Sequence, residues 1–295
     1  MWALRTAWLA LGAKRHLDYA AGLGVPGIEF GYFGRSLGWR LVRSGAPWGL
    51  GWVANPVSVV RYFEFDFARR CLEGARGAFL DIGSPRLFSL WMAARATGRV
   101  TMMNPDPSDL GRSEEAVRRL GLPGLDFEAT GADALAGREA RYDAIWSISV
   151  MEHIEGAYDE RRALALAWAA LKPGGRLVIT IPVGPAFRVE TRTQDPYGTQ
   201  APLADGTYFF QRTYDKKALD SRISAALNAV PEREEYFGER VAGSYAAYEA
   251  RWIERGIAET VADPRFIAEQ FTRYPSHAAM PGLGVAGLCY VKARP

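Results

Sequence analysis

Through the middle of the chain, short apolar runs alternate with stretches whose apolar residues recur at helical spacing. Ala78-Phe79-Leu80-Asp81-Ile82 is an almost wholly apolar run that stops at Gly83. Runs of this kind, without polar alternation, belong to strands buried on both faces of a parallel sheet. A helical stretch from Leu87 to Thr97 follows, then a second strand at Arg99–Met103, closed by the turn Asn104-Pro105-Asp106-Pro107. Ser113 and Glu115 open a further helix that ends near Gly121. Leu125–Thr130 predicts a third strand and Tyr142–Ser149 a fourth, and between Tyr158 and Leu171 Ala, Leu and Trp168 share a helix face. Lys172-Pro173-Gly174-Gly175 stops that helix and turns the chain into a fifth strand at Arg176–Val183. Strands and helices alternating at this spacing predict a parallel sheet with right-handed crossovers.

Outside this rhythm the pattern is looser. Residues 1–76 read as irregular helices broken by Gly-rich turns. Residues 184–212 read as a polar, aromatic loop, longer than most connections and therefore a candidate to cover a site. A helix at Tyr214–Leu227, a weak strand at Glu232–Glu239, helical turns over 243–272 and a last strand at Gly284–Ala293 complete the pattern.

Composition adds constraints. The 295 residues are 48% hydrophobic and 23% charged with a net charge of +3, ordinary usage for a globular chain. Neither the charge nor any motif points to nucleic acid. The two cysteines, Cys71 and Cys289, form no metal-binding or disulfide pattern, and a reducing compartment is expected. The apolar run Ala7–Ala13 is too short to span a membrane, so a cytoplasmic protein without a transmembrane segment is expected. Residues 1–76 hold ten Lys/Arg against five Asp/Glu, and five of the nine tryptophans: Trp2, Trp8, Trp39, Trp48 and Trp52. Such a segment suits burial against a main domain, the acceptor side of a site, or peripheral contact with an anionic membrane.

The segments FLDIGSPR, RVTMMNPD, TGADAL, YDAIWSISVMEHI and LKPGGRLVITIP, in this order and spacing, resemble the class I S-adenosylmethionine-dependent methyltransferases. Within them the likeness is to the broad type 11 group that acts on small molecules. It runs in register over residues 77–183, and its most specific part is the placing of Glu152-His153 ahead of Lys172-Pro173-Gly174-Gly175. The resemblance implies an α/β, Rossmann-like doubly wound sheet of seven strands, the last antiparallel, over 77–295, with residues 1–76 as an N-terminal helical cap.

Ligands of such sheets bind at the carboxyl ends of the strands. The resemblance places S-adenosyl-L-methionine there, on Asp81, Gly83, Ser84, Arg86, Asn104, Asp106, Asp133, Ala134, Ile148 and Ser149. Gly83 lets backbone approach the cofactor. Ser84 and Pro85 suit the start of a helix whose N–H groups meet a carboxylate. The family's Gly-x-Gly-x-Gly pattern is reduced here to Gly83-Ser84-Pro85-Arg86-Leu87, and Arg86 is the candidate to offset the loss by holding the carboxylate. Asn104 stands where the family has an acid for the ribose hydroxyls, with Asp106 two residues on, and Asp133 matches the residue that accepts from the adenine amino group.

His153 is the one candidate catalytic base, although methyl transfer does not oblige one and the Glu-His pair suits a structural role equally. Arg188, Asp195, Tyr197, Tyr208 and Tyr214 are candidate contacts to a small-molecule acceptor, a sugar or secondary metabolite methylated on O, N or C. The alternative reading is a degenerate fold that binds a ligand or partner without turnover. A nicotinamide oxidoreductase is excluded, since Gly83–Phe88 lacks the Gly-x-Gly-x-x-Gly fingerprint.

Overall fold

The computed structural model describes residues 2–294 apart from Ala96, Ala157, Tyr158, Tyr197 and Thr199, with side chains from residue 12 onward except that of Thr97. Four helices come first: α1 (Trp2–Gly22), α2 (Ile28–Arg43), α3 (Gly49–Ala54) and α4 (Arg61–Cys71). Then strands and helices alternate: β1 (Arg76–Ile82), α5 (Arg86–Arg95), β2 (Thr97–Met103), α6 (Pro107–Leu120), β3 (Leu125–Glu128), β4 (Tyr142–Ile148), α7 (Glu160–Ala170) and β5 (Leu171–Val183). β6 (Arg188–Arg192) and β7 (Tyr208–Thr213) form a separate antiparallel hairpin. β8 (Arg233–Glu239), β9 (Phe271–Tyr274) and β10 (Gly284–Val291) return to the main sheet, with short helices between them.

The sheet order is β3-β2-β1-β4-β5-β10-β8-β9. β1 to β5 run parallel, and the last strand, β10, lies antiparallel between β5 and β8, as expected. Two features differ from the sequence expectation. The four-residue β9 adds an eighth strand at the edge beside β8. The region read as one loop over 184–212 contains the β6–β7 hairpin, whose first strand is almost wholly solvent-facing and so carries no burial pattern to read. α6 also begins earlier than expected, because the Asp106 carboxylate caps it by accepting from Ser108 N at 2.8 Å ahead of Pro107.

The N-terminal helices share one core with the sheet. Tyr62, Phe63, Phe65 and Phe67 of α4 are all at most 1% exposed, in the same cluster as Phe79, Trp146, Val178 and Cys289 of the strands. Phe63 stacks on Phe237 with ring centroids 4.9 Å apart, and Phe67 lies so close over Gly287 that a Cβ there would meet its ring at 2.6 Å. Burying one such ring stabilises by roughly 1.5–3 kcal/mol. Among the tryptophans of this region, Trp48 and Trp52 are half-buried in an edge-to-face pair, with Trp48 Nε1 donating to Glu115. No helix among the described residues is long and apolar enough to cross a membrane.

Candidate active site

The carboxyl ends of β1, β2 and β4 open into a cavity of about 1330 Å³. One wall is made by the turns that follow these strands, a second by the stretch from Trp52 to Phe65, and a third by His153–Glu155 with Pro196, Gln200 and Phe210. A smaller charged groove of about 760 Å³ lies apart from it, between α4 and the β8–β9 edge, where Asp66 pairs with Arg69, Arg70 and Arg273.

The turn after β1 is held by side chains where glycines are missing. Gly83 has φ +66°, its N–H donates to Met103 O at 2.8 Å, and a Cβ there would stand 3.1 Å from Val150. Ser84 Oγ accepts from Ile148 N at 2.9 Å, tying this turn to the end of β4. Asp81 lies beneath the cavity rather than in its wall. It is 1% exposed and accepts from Ser84 N at 3.0 Å and from Ser89 Oγ. Burial pushes its carboxyl up to about 6.

Arg86, Asn104 and Asp106 line the cavity, each already engaged. Arg86 pairs with Asp109 and donates from Nε to Ser113 Oγ at 3.1 Å. Asn104 Nδ2 donates to the other Asp109 oxygen at 3.1 Å, while Asn104 Oδ1 accepts from Asp106 N at 2.9 Å. Asp109, in the first turn of α6, therefore locks the turns after β1 and β2 together. Sequence reading passed over it because it falls between the turn at 104–107 and the helix expected from Ser113. Asp133 stands exposed in the wall at the start of the Ala132–Leu135 turn, beside Thr130, whose buried Oγ1 has no hydrogen-bond partner. Ala134 and the fully buried Ile148 sit behind the wall.

Ser149, at the end of β4, adopts φ +51°, a conformation costly for a residue with a Cβ. Its N–H donates to Thr180 Oγ1 at 3.2 Å and its Oγ donates to Glu64 Oε1 at 2.6 Å. Glu64 belongs to α4 and is fully buried, so the N-terminal region reaches the centre of the site. One turn earlier on α4, Arg61 lines the cavity; it donates to Ser58 Oγ at 3.2 Å, but its buried Nε has no hydrogen-bond partner. Sequence reading missed Arg61 and Glu64, which lie in a stretch without motif.

His153 lines the cavity, and its Nδ1 lies 2.7 Å from Phe210 O. A carbonyl only accepts, so Nδ1–H donates and the histidine straps the hairpin to the turn after β4. Burial lowers the imidazole pKa below its ordinary value, with nearby Arg61 adding to the effect. Glu152, 2% exposed, has its carboxyl raised well above the usual range by burial, and its Oε2 has no hydrogen-bond partner.

The expected acceptor contacts fall elsewhere. Arg188 is exposed on β6, Asp195 accepts from Gln200 N at 2.8 Å, and Tyr208 is half-buried on β7. Tyr214 is fully buried in the core, and Tyr197 lies outside the described residues. From the same segment it is Pro196, Gln200 and Phe210 that face the cavity.

A doubly wound sheet with a cavity at the carboxyl ends of its strands is the arrangement in which open α/β domains hold their ligands. Residues 80–179 match the family described as Methyltransferase domain. Over 134 residues, 41% of this chain, it is 31% identical to a ubiquinone biosynthesis O-methyltransferase from Methylocella silvestris, and it spans about half the length of that curated relative. Among solved structures, the YcgJ protein from Bacillus subtilis aligns with a TM-score of 0.52 at 15% identity, over 79% of this chain and 100% of that one. A 1,6-didemethyltoxoflavin-N1-methyltransferase from Burkholderia thailandensis aligns with a TM-score of 0.49 at 17% identity, over 79% of this chain and 81% of that one. The likeness to YcgJ is of fold alone.

Proposed function

We propose that the chain transfers a methyl group from S-adenosylmethionine to O, N or C of a small molecule. The observation that carries the reading is Arg61 in the cavity wall: a guanidinium that donates to Ser58 Oγ and forms no ion pair among the described residues calls for an anion from the ligand. Arg86, the sequence candidate for that task, is spent on Asp109. The residues present therefore fit an amino-acid-bearing nucleoside. Arg61 would hold its carboxylate, and Glu64, one turn along α4 and bonded to Ser149, would favour its ammonium. Asn104 and Asp106 would take the ribose, and Asp133 with Thr130 the base.

When bound, the cofactor supplies a sulfonium methyl that is already activated. What remains for the protein is alignment, which can supply ~7–11 kcal/mol of the barrier. Phe65, Val150, Pro196 and Phe210 supply apolar parts of the wall around this space. His153, held at Nδ1 by Phe210 O, positions that wall. The cavity, at about 1330 Å³, also exceeds the roughly 300–1,000 Å³ usual for one small ligand. Room for an acceptor beside the cofactor favours turnover over a binding-only scaffold.

Equilibrium dialysis of the full chain against methyl-labelled S-adenosylmethionine tests the reading. One equivalent should bind at sub-millimolar concentration and be displaced by S-adenosylhomocysteine. No binding at millimolar concentration would overturn it.

A further inference from the structure

We infer that Cys71 and Cys289 form a reversible oxidation site, at which a hydroperoxide closes a disulfide that fastens α4 to β10. This goes beyond the methyl-transfer reading and does not depend on it. More than two hundred residues separate the two cysteines in the chain, so their spacing carries no signal, yet packing brings them together. Phe67 of α4 lies directly over Gly287 of β10, where a Cβ would meet its ring at 2.6 Å. Four residues further along the helix stands Cys71, and two further along the strand stands Cys289. These steps advance roughly 6 Å on a helix and roughly 7 Å on a strand, and each returns to the same face. With no side chain at Gly287 the helix lies close to the sheet, and the next pair to meet is the two thiols. Arg176 of β5, the strand beside β10, donates from Nη1 to Cys71 O at 2.7 Å and holds that end of the helix over the sheet.

The surroundings divide the work between the two sulfurs, both free and buried. The Cys289 thiol donates to Cys71 and, with the guanidinium groups of Arg233 and Arg70 nearby, holds the Cys71 thiol below its ordinary value. Arg233 is the ladder partner of Cys289 on β8. The same thiol contact, together with burial, pushes the Cys289 thiol up. Cys71 is therefore the nucleophile and Cys289 the partner that resolves it. Cys71 closes α4, and the end turn of a helix opens more readily than its middle, which admits a molecule little larger than water. The Cys71 thiolate attacks one peroxide oxygen: an S–O bond forms, the O–O bond breaks, and the departing hydroxide takes up the proton that Cys71 released. The Cys289 sulfur then attacks the Cys71 sulfenic acid: the S–S bond forms, the S–O bond breaks, and a second hydroxide leaves as water with the Cys289 proton. Two thiols are oxidised and one peroxide is reduced to two waters. In a reducing compartment, exchange with small thiols returns both cysteines.

The test treats the reduced, folded full chain with a small excess of hydrogen peroxide and blocks remaining thiols with iodoacetamide in denaturant. The chain is then digested without reductant and the peptides are read by mass spectrometry. One cross-linked pair should hold Cys71 and Cys289, lighter than the separate peptides by two hydrogens, in protein that runs as single chains on a denaturing, non-reducing gel. Dithiothreitol should return both peptides. The bond closes a very long loop, so the oxidised chain should melt several degrees higher. Cys289→Ser should stop at the Cys71 sulfenic acid, trapped by dimedone, whereas Cys71→Ser should leave Cys289 unmodified at the same dose. Two alkylated cysteines after treatment, or disulfides only between chains, overturn the site, and the wild type alone decides this whether or not the variants fold. Sulfenic acid on Cys289 in Cys71→Ser overturns the assignment of roles. An unchanged or lower melting temperature of the cross-linked chain overturns the fastening of α4.

Discussion

Replacing Arg61 by Met removes the guanidinium and keeps most of the apolar stem. Arg61 donates to Ser58 Oγ at 3.2 Å and forms no ion pair among the described residues, so folding stability should change by no more than about 1 kcal/mol. If its guanidinium meets the carboxylate of the cofactor, a charge-assisted hydrogen bond of roughly 1.5–3 kcal/mol is lost, or roughly ten- to hundredfold in affinity. The assay is calorimetric titration of wild type and Arg61→Met with two ligands. S-adenosylhomocysteine carries the amino-acid group, and 5′-methylthioadenosine lacks it. The variant should lose the full factor for the first and almost nothing for the second. Equal losses for both ligands would mean that Arg61 supports the wall and touches no carboxylate. No loss for either would refute the placement of the cofactor.

Asp133→Ala should weaken S-adenosylhomocysteine binding by about 1–3 kcal/mol, the cost of leaving a buried donor on the base unpaired; unchanged affinity in the same titration would mean that the adenine lies elsewhere. His153→Ala removes the strap to Phe210 O, and a positioning residue should cost less than the roughly 10²–10⁴-fold typical of a lost general base; turnover falling within that range at constant cofactor affinity would make the histidine catalytic. Burial pushes the Asp81 carboxyl up to about 6 from 3.8, so the folded chain keeps a proton that the unfolded chain has already released, and stability falls as pH rises through that interval. Asp81→Asn should therefore raise the melting temperature at about pH 8, by the equivalent of roughly 1–3 kcal/mol, with little gain at about pH 4. A gain independent of pH would show that the buried charge is not the cause.

The parts of the fold legible in the sequence are those whose environment is uniform along the chain. β1 and β4 are buried over most of their length, and their largely apolar runs, without polar alternation, say so directly. β9 has four residues and one solvent-facing side, too little pattern to read, and β6 is almost wholly exposed. The same divide runs through the site. Gly83, Asn104 and Asp133 follow strand ends, where the family resemblance marks them, and all three line the cavity. Arg61, Glu64 and Asp109 are brought in by packing between elements far apart in the chain, and nothing beside them in the sequence marks them. Tyr214 shows the opposite error. Its phenol suggested an acceptor contact, yet the whole residue is buried in the core, because aromatic residues in a variable segment serve packing as readily as binding.

The most direct measurement is methyl transfer itself. The purified full chain would be incubated with S-adenosylmethionine carrying an isotopically labelled methyl group and a protein-free metabolite extract, and the small molecules read by mass spectrometry. Label is expected in one or a few small molecules, with S-adenosylhomocysteine formed in equal amount, and both should be lost in Arg61→Met at low cofactor concentration. Cofactor that binds yet is recovered with its methyl intact, with no labelled small molecule, would contradict methyl transfer by this chain.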